Sequence, residues 1–268
     1  MSFRFRNNVH IHGAGRKTMV FAHGFGCDQT MWRFLAPAFE DRFRVIAYDL
    51  VGMGQSDLSA YDRAKYASAD GHAADLLEII DAYAEGEVVF VGHSVSTMIG
   101  LLATIAAPEK FAAQIMVSPS PCYLNDGDYT GGFNAADMEA LLLTMDEDFL
   151  GWSFKMAPMI MRAPDRPELS RELLRSFARN DPIIARHWAR VTFLSDYRQQ
   201  LPLSVVPALV LQCSDDLLVP QEVGLYMARH LPRSVFHVID NVGHCPHLSA
   251  ADASRQAIEG FLAGNACL

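Results

Sequence analysis

Gly92-His93-Ser94-Val95-Ser96 is the stretch of this sequence that decides its fold. It follows an apolar run, residues 88–91, that is typical of a buried β-strand, and precedes another, residues 97–103, that is typical of a helix. A serine in a tight strand-to-helix turn between small residues holds its hydroxyl exposed above a parallel sheet, where it can act as a nucleophile. The motif departs from the G-x-S-x-G pattern at Ser96, and an ordinary strand-to-helix turn is the alternative interpretation.

A serine nucleophile needs a base and an orienting carboxylate, and both follow later in the chain in the order Ser, Asp, His. Residues 208–213 are predicted to form a buried strand that ends near Asp216, and residues 235–239 a second strand that ends near His244. Open α/β sheets bind their ligands just beyond the carboxyl ends of their strands. The sequence therefore predicts a catalytic triad of Ser94, Asp216 and His244.

Each of the two later positions has a competitor nearby. Asp215 could orient the histidine in place of Asp216, which we prefer because it lies four residues before Pro220. The other aspartate is then expected to cap the following helix or to face water. His247 competes with His244, but it lies further from the end of the strand.

An early loop completes the predicted site. Residues 17–22 are predicted to form a strand, and His23-Gly24-Phe25-Gly26 follows it. In sites of this type, one backbone N–H for the developing oxyanion comes from the residue after the nucleophile, here Val95, and the other from the loop after an early strand. We predict Phe25 as the second donor, because the glycines on both sides let its backbone turn inward while its ring lines the pocket.

Longer motifs are distributed over nearly the whole chain: residues 23–29 (HGFGCDQ), 48–57 (YDLVGMGQSD), 92–95 (GHSV), 118–126 (SPSPCYLND), 181–186 (DPIIAR), 211–213 (LQC) and 243–247 (GHCPH). By these motifs the sequence resembles the α/β-hydrolases. Within that superfamily it is similar to the family of the bacterial sigma-factor regulator RsbQ and the plant karrikin and strigolactone receptors. The PCYLND and GHCPH runs are more specific than the serine turn.

The alternation of strand-like and helical runs predicts a mostly parallel sheet with helices on both faces, and Gly13-Ala14-Gly15 indicates an early hairpin. The strand pattern breaks between about residues 121 and 198, where helical stripes rich in Met, Phe and Trp replace it. We therefore predict an α/β-hydrolase core, residues 1–120 and 199–268, with a helical cap, residues 121–198, inserted after the sixth strand.

The cap is expected to cover Ser94, so that some of its apolar side chains face a cavity. The resemblance implies that Phe133, Leu142 and Phe193 line this cavity together with Phe25. The alternative is that the helical stripes only pack against one another.

Composition fits one core with a cap insertion, since the chain has 268 residues, half of them hydrophobic. A net charge of −9 without a basic cluster argues against nucleic acid and anionic membranes as partners. The five cysteines (27, 122, 213, 245 and 267) lack paired spacing, and residues 1–8 lack the apolar segment of a signal peptide. These features predict a cytoplasmic protein with reduced thiols.

Residues 88–108 contain no charged side chain and could be mistaken for a membrane span. The Gly-His-Ser turn in their middle favours a buried strand followed by a buried helix. The sequence therefore predicts no membrane-spanning segment there.

The predicted chemistry is acyl transfer to Ser94 followed by hydrolysis, which needs neither an organic cofactor nor a metal. A zinc site at 244–247 is the chemical alternative, but Pro246 breaks a helical i, i+3 arrangement and no matching Cys/His cluster occurs elsewhere. The expected substrate is a small apolar ester or lactone, and the resemblance favours a butenolide-like ring. A second hypothesis is a small-molecule sensor whose cap docks a regulatory protein and whose hydrolysis is vestigial.

Overall fold

A computed structural model describes residues 3–265 of the chain, without the side chain of Phe3. Met1, Ser2 and Cys267, on which some of the sequence predictions rest, lie outside the described residues. The strands β1 to β7 are His10–His12, Lys17–Ala22, Phe43–Tyr48, Val88–His93, Phe111–Val117, Ala208–Asp215 and Ser234–Val242.

The helices α1 to α10 are Phe3–Arg6, Asp70–Tyr83, Val95–Ala106, Ala135–Glu147, Phe149–Met161, Pro167–Arg179, Pro182–Leu194, Gln221–His230, Pro246–Ser249 and Ala251–Gly264. Short 3-10 helices occupy Gln29–Trp32, Ala36–Phe39, Leu58–Ala60, Pro108–Lys110 and Arg198–Leu203. The strands form one sheet in the order β1-β3-β2-β4-β5-β6-β7, in which β1 is antiparallel and the others are parallel. The predicted mostly parallel sheet is confirmed.

Both faces of the sheet are covered, which explains the continuous apolar runs of its strands. In β4, Val88 and Phe90 pack in the cluster that includes α2 and α3, whereas Val89 and Val91 pack in the cluster that includes α10. The uncharged stretch 88–108 therefore spans a buried strand and the buried helix α3. Across residues 3–265, no helix combines the length and the apolar composition that crossing a bilayer requires.

The predicted position of the cap is wrong by one strand. Helices α4 to α7 lie between β5 and β6, so five strands and not six precede them within residues 3–265. Within residues 3–265, β1 is the one strand that precedes β2, so the count of strands before the cap is five.

The expected hairpin at Gly13-Ala14-Gly15 is also wrong. Strand β1 pairs with β3, with His10 opposite Ala47, and β3 separates it from β2 in the sheet. The glycines instead let this segment pass close to the backbone before β3, because a Cβ at Gly15 would lie 2.1 Å from the carbonyl oxygen of Arg42.

Helix α2 contributes a buried histidine at the boundary between core and cap. His72 stacks on Tyr66 with ring centroids 4.4 Å apart, and its ring centroid lies 4.5 Å from that of Trp188 in α7. Neither ring nitrogen forms a hydrogen bond within residues 3–265. Burial lowers the pKa of His72 to about 3, far below its ordinary value, so the ring is neutral in the folded protein.

Because His72 is neutral in the folded protein, we predict that the free energy of unfolding depends on pH. Below its ordinary pKa, about 6.5, the unfolded chain binds a proton that the folded chain does not, so stability is full at higher pH and falls on acidification. Replacing His72 with phenylalanine keeps a ring in place and removes that proton. Between pH 6 and 4, the slope of the unfolding free energy against pH should fall by about 1.4 kcal/mol per pH unit. The exposed His12→Phe variant should keep the wild-type slope; an unchanged slope in His72→Phe would contradict the assignment.

Candidate active site

Ser94 lies in the turn between β4 and α3 with φ 54° and ψ −123°, a backbone conformation that non-glycine residues rarely adopt. The strained turn is held by its own hydrogen bonds. The N–H of Ser94 donates to the carbonyl of Val117 (2.9 Å), and the Thr97 hydroxyl donates to the carbonyl of Ser94 (2.6 Å). A Cβ at Gly92 would lie 2.7 Å from the carbonyl oxygen of Ser96, so glycine allows α3 to pass close to β4.

The structure brings Ser94, His244 and Asp216 into one chain of hydrogen bonds. His244 Nε2 lies 2.9 Å from Ser94 Oγ, and His244 Nδ1 lies 2.6 Å from Asp216 Oδ2. Because a carboxylate can only accept, Nδ1 carries a hydrogen, and in the neutral ring Nε2 is free to accept the serine proton. All three side chains are buried. They lie at the carboxyl ends of β4, β6 and β7, where the sequence places them.

Asp216 is also held by backbone donors. Its Oδ1 accepts hydrogen bonds from the N–H groups of Leu218 (2.9 Å) and Val219 (3.3 Å). Asp215 instead lies on the surface, where it pairs with Arg162 Nη1 of the cap at 2.7 Å. The two neighbouring aspartates therefore have separate surroundings, and Asp216 is the one beside His244.

His247, the competing histidine, lies in α9 between aromatic rings. Its ring centroid is 4.6 Å from Trp32 and 4.3 Å from His93, and burial lowers its pKa to about 3. His244 directs its two nitrogens to Asp216 and Ser94. The two histidines therefore have different neighbours, and their ring nitrogens do not point toward a common ligand.

The loop after β2, residues 23–28, packs directly against the serine turn. A Cβ at Gly24 would lie 3.2 Å from Ser94 Cβ. The N–H of Cys27 donates to the carbonyl of Gly24 (3.2 Å), and Gly26 has a φ of +69°, as a turn with glycine at its third position requires. Since peptide units are planar and trans, the N–H of Phe25 points away from the Gly24 carbonyl that closes this turn.

Ser96, the residue that departs from the G-x-S-x-G pattern, connects the serine turn to this loop. Its buried hydroxyl donates to the carbonyl oxygen of His23 at 2.5 Å. A glycine at this position would have no side chain with which to form the bond. The departure therefore adds a contact between α3 and the loop that carries Phe25.

A cavity of about 30 Å³ lies above Ser94. Its wall contains the phenylalanine and tryptophan rings of Phe25, Trp152, Phe177 and Phe193, and the centroids of Phe25 and Phe193 are 5.7 Å apart. Such a volume holds about two water molecules. Phe25 and Phe193, two of the four residues predicted to line the cavity, both lie in this wall.

Comparison with known proteins identifies the family. The sequence model of the alpha/beta hydrolase family matches residues 19–257. The chain belongs to the α/β-hydrolases.

Several members of this family are similar over nearly their full length. A strigolactone esterase from Pisum sativum is 39% identical over 254 residues, which cover 94% of this chain and 95% of the relative. A karrikin insensitive 2 receptor from Petunia hybrida is 37% identical over 247 residues, 92% of each chain. The solved structure of a hydrolase from Oleispira antarctica has a TM-score of 0.94 and 42% identity, covering 98% of this chain and 96% of its own. The predicted resemblance and the α/β-hydrolase fold are confirmed.

Two predicted cavity residues of this α/β-hydrolase lie elsewhere. Leu142 is buried in the cap core, and its neighbour Leu141 faces the cavity instead. A helix turns by about 100° per residue, so an apolar stripe that includes both leucines does not tell which one faces Ser94. Phe133 lines an outer groove of about 440 Å³ between α4 and α5, because its backbone pairs with the 123–125 segment at the base of the cap.

The outer groove and the cavity share part of their walls. Four side chains line both spaces and separate them: Leu141, Trp152, Met156 and Leu218. Their displacement would join the groove to the space above Ser94.

Tyr123 is a site residue that the sequence reasoning missed. Its hydroxyl lies 3.4 Å from Ser94 Oγ, and its ring centroid is 5.1 Å from that of Phe193. Burial raises the pKa of Tyr123 to about 12, so it keeps its proton at neutral pH. Tyr123 lies between β5 and the cap helices in the PCYLND run, and the specificity of that run is the signal that could have located it.

Helix α5 of the cap ends against the loop that carries His244. The N–H of His244 donates to the carbonyl of Ile160 at 2.9 Å. A Cβ at Gly243, where φ is +106°, would lie 2.2 Å from the carbonyl oxygen of Met161, so only glycine permits this approach. Ile160 also lines the cavity. One cap helix therefore contacts both the cavity and the backbone of His244.

Proposed function

We propose that this α/β-hydrolase cleaves small, largely apolar esters or lactones by way of an acyl-enzyme on Ser94. The observation that carries the proposal is the buried chain of hydrogen bonds from Asp216 through His244 to Ser94, which opens on an apolar cavity. The serine supplies the nucleophile and the histidine the base that such a reaction needs.

In the proposed mechanism, Ser94 Oγ attacks the carbonyl carbon while His244 Nε2 takes the hydroxyl proton. Asp216 keeps the imidazole in the required tautomer and stabilises the imidazolium. The N–H groups of Phe25 and Val95 bind the oxyanion of the tetrahedral intermediate. Collapse of the intermediate breaks the ester C–O bond, and His244 protonates the leaving alkoxide. Water then attacks the acyl-enzyme by the same route and releases the acid.

The cavity supports a compact, apolar substrate. Its wall is formed mainly by aromatic and aliphatic side chains, so desolvation favours an uncharged ring or a short acyl group. Known relatives include a strigolactone esterase and, at 23% identity, a pimeloyl-[acyl-carrier protein] methyl ester esterase. We infer a role similar to that of RsbQ, in which the protein produces or senses a small signalling molecule. We choose a butenolide lactone as the first ring substrate to test.

Phe193 and Phe133 provide a matched pair of cap variants for the substrate pocket. Phe193→Ala should raise KM for short esters by on the order of tenfold, since a buried phenylalanine contributes about 1.5–3 kcal/mol of apolar contact. It should also admit bulkier acyl groups. Phe133→Ala, in the outer groove, should leave KM for short esters within about twofold, as changes away from a contact usually do. Steady-state kinetics with acetate and pivalate esters would reveal a reversed ranking, which would contradict the pocket.

A small-molecule sensor is the second candidate, and the outer face of the cap favours it. Leu143, Leu150 and Phe154 on α4 and α5 are 48%, 53% and 65% exposed, respectively. Leu150 and Phe154 have the i, i+4 spacing that places side chains on one face of α5, and exposed apolar faces are typical of surfaces that bind proteins. In this proposal a ligand in the cavity changes the cap, and a regulatory protein binds there.

The turnover number separates the two candidates. A kcat above about 10 per second on p-nitrophenyl acetate, the median for enzymes, supports a metabolic hydrolase. A kcat far below one per second, with a ligand-dependent shift of the melting temperature, supports a sensor. Absence of any Ser94-dependent hydrolysis of esters or lactones would refute the hydrolase proposal.

A further inference from the structure

Two buried side chains at the carboxyl end of cap helix α6, one in its last turn and one directly after it, bind the loop that carries Phe25. Ser176 Oγ donates a hydrogen bond to the carbonyl oxygen of Gly26 at 3.0 Å, and Asn180 Nδ2 donates to the same oxygen at 2.8 Å. The two residues are 5% and 9% exposed. The cap therefore supplies two donors to one buried carbonyl, next in the chain to the proposed oxyanion donor.

The fit between α6 and the loop depends on glycine. Gly26 has a φ of +69°, and a Cβ there would lie 2.6 Å from the ring of Phe177, which fills the space instead. Further along the loop, Arg179 Nη2 lies 3.2 Å from Asp28 Oδ2. The carboxyl-terminal turn of α6 thus contacts the loop at two points, on both sides of Cys27.

The core holds the same loop from its other end. The hydroxyl of Ser96 binds the carbonyl of His23, and His23 Nδ1 lies 2.8 Å from the carbonyl oxygen of Gly24. The N–H of Leu50 donates to His23 Nε2 (3.0 Å), so Nδ1 carries the ring hydrogen and donates to Gly24. The turn of residues 24–27 is therefore tied to the core at its start and to the cap at Gly26.

We infer that Ser176 and Asn180 are positioning residues for the oxyanion hole. By binding the Gly26 carbonyl they keep the turn from rotating and so hold the Phe25 N–H in one direction beside Ser94. This inference rests on the proposed function of Ser94 as the nucleophile. Donors of this kind stabilise a transition state only when they are already oriented, and a displacement of about 1 Å can cost on the order of 100-fold in rate.

The alternative is that these bonds only attach the cap to the core. A loose cap would weaken substrate binding and raise KM, whereas a misdirected oxyanion donor lowers kcat. A small alkylboronic acid separates the two cases further. Its boron bonds to the serine oxygen and becomes tetrahedral, so one of its oxygens occupies the oxyanion hole.

The experiment compares Ser176→Ala, Asn180→Ala and the double variant with two matched controls. Ser153→Ala removes another buried cap hydroxyl, one that binds Phe149 O within its own helix, and Asn125→Ala removes an amide that organises a cap loop. With p-nitrophenyl acetate, kcat should fall about tenfold in Ser176→Ala and about 100-fold in the double variant, while KM changes less than about threefold. The Ki of butylboronic acid should rise by the same factors as kcat falls, and both controls should keep wild-type values.

Asn180 also binds the carbonyls of Ser176 and Phe177 at the end of α6, so its removal can loosen the helix. Ser176→Ala leaves those bonds in place and carries the test if Asn180→Ala does not fold. Unchanged kcat and Ki in Ser176→Ala and the double variant, or a rise in KM alone, would overturn the inference and leave the proposed function standing. A wild-type protein without Ser94-dependent turnover would overturn both.

Discussion

Replacing Ser94 with alanine should lower kcat/KM for p-nitrophenyl acetate by about 10⁵-fold or more, as loss of a triad serine does in other hydrolases. The variant keeps the bonds from its N–H to Val117 and from Thr97 to its carbonyl, because both involve backbone atoms of residue 94. The turn and the cavity should therefore persist while the nucleophile is lost. Circular dichroism and the melting temperature should stay at wild-type values.

Ser120→Ala is the matched control for this substitution. Ser120 is buried in the loop after β5, and its hydroxyl donates to the carbonyl of Cys122 at 3.0 Å. Removing it should change kcat/KM by less than about fivefold, since it deletes one neutral hydrogen bond. Retention of more than a tenth of the wild-type activity in Ser94→Ala would rule out Ser94 as the nucleophile.

Asp216→Asn should lower kcat by about 10⁴-fold, the effect of the same exchange in a well-studied triad. The asparagine oxygen can still accept from Leu218 and Val219, which turns its NH₂ group toward His244 Nδ1. A donor at that position favours the tautomer with the hydrogen on Nε2. The imidazole then cannot accept the proton of Ser94.

Asp215→Asn is the neighbouring control, because Asp215 is exposed and pairs with Arg162 instead of His244. Exposed ion pairs contribute about 0–1 kcal/mol, so kcat should fall by less than about tenfold. If the two variants exchange their effects, Asp215 and not Asp216 orients the base.

The residues of the candidate triad could be located from the sequence because each lies close to the end of a strand, and a short apolar run is enough to indicate a strand. Ser94, Asp216 and His244 each follow an apolar run, and a parallel sheet brings the carboxyl ends of such runs to one edge. The Asp215 alternative could also be weighed from spacing alone. These inferences need the strands to be parallel but do not need the details of side-chain packing.

The cap could not be predicted to the same depth, because its geometry depends on how helices rotate against a surface. A rotation of α4 by one residue decides whether Leu141 or Leu142 faces the cavity. The position of Phe133 in the outer groove depends on the pairing of its backbone with the 123–125 segment. The bonds from Asn180 to Gly26 and from His244 to Ile160 join residues 154 and 84 positions apart in the sequence. No short-range sequence pattern indicates contacts between residues so far apart in the chain.

The bond between the end of α5 and the backbone of His244 links the opening of the cavity to the position of the proposed base. The space above Ser94 has room for about two water molecules, so a larger ester fits only when cap side chains such as Trp152 and Met156 move aside. Those residues belong to the helix whose Ile160 carbonyl binds His244. An opening in which α5 moves as a rigid helix would break this bond and free the backbone of the base, whereas rotation of the Trp152 and Met156 side chains alone would leave it intact. With an opening of the first kind, turnover would alternate between two states, and its upper limit would be the rate at which the cap closes over a captured molecule.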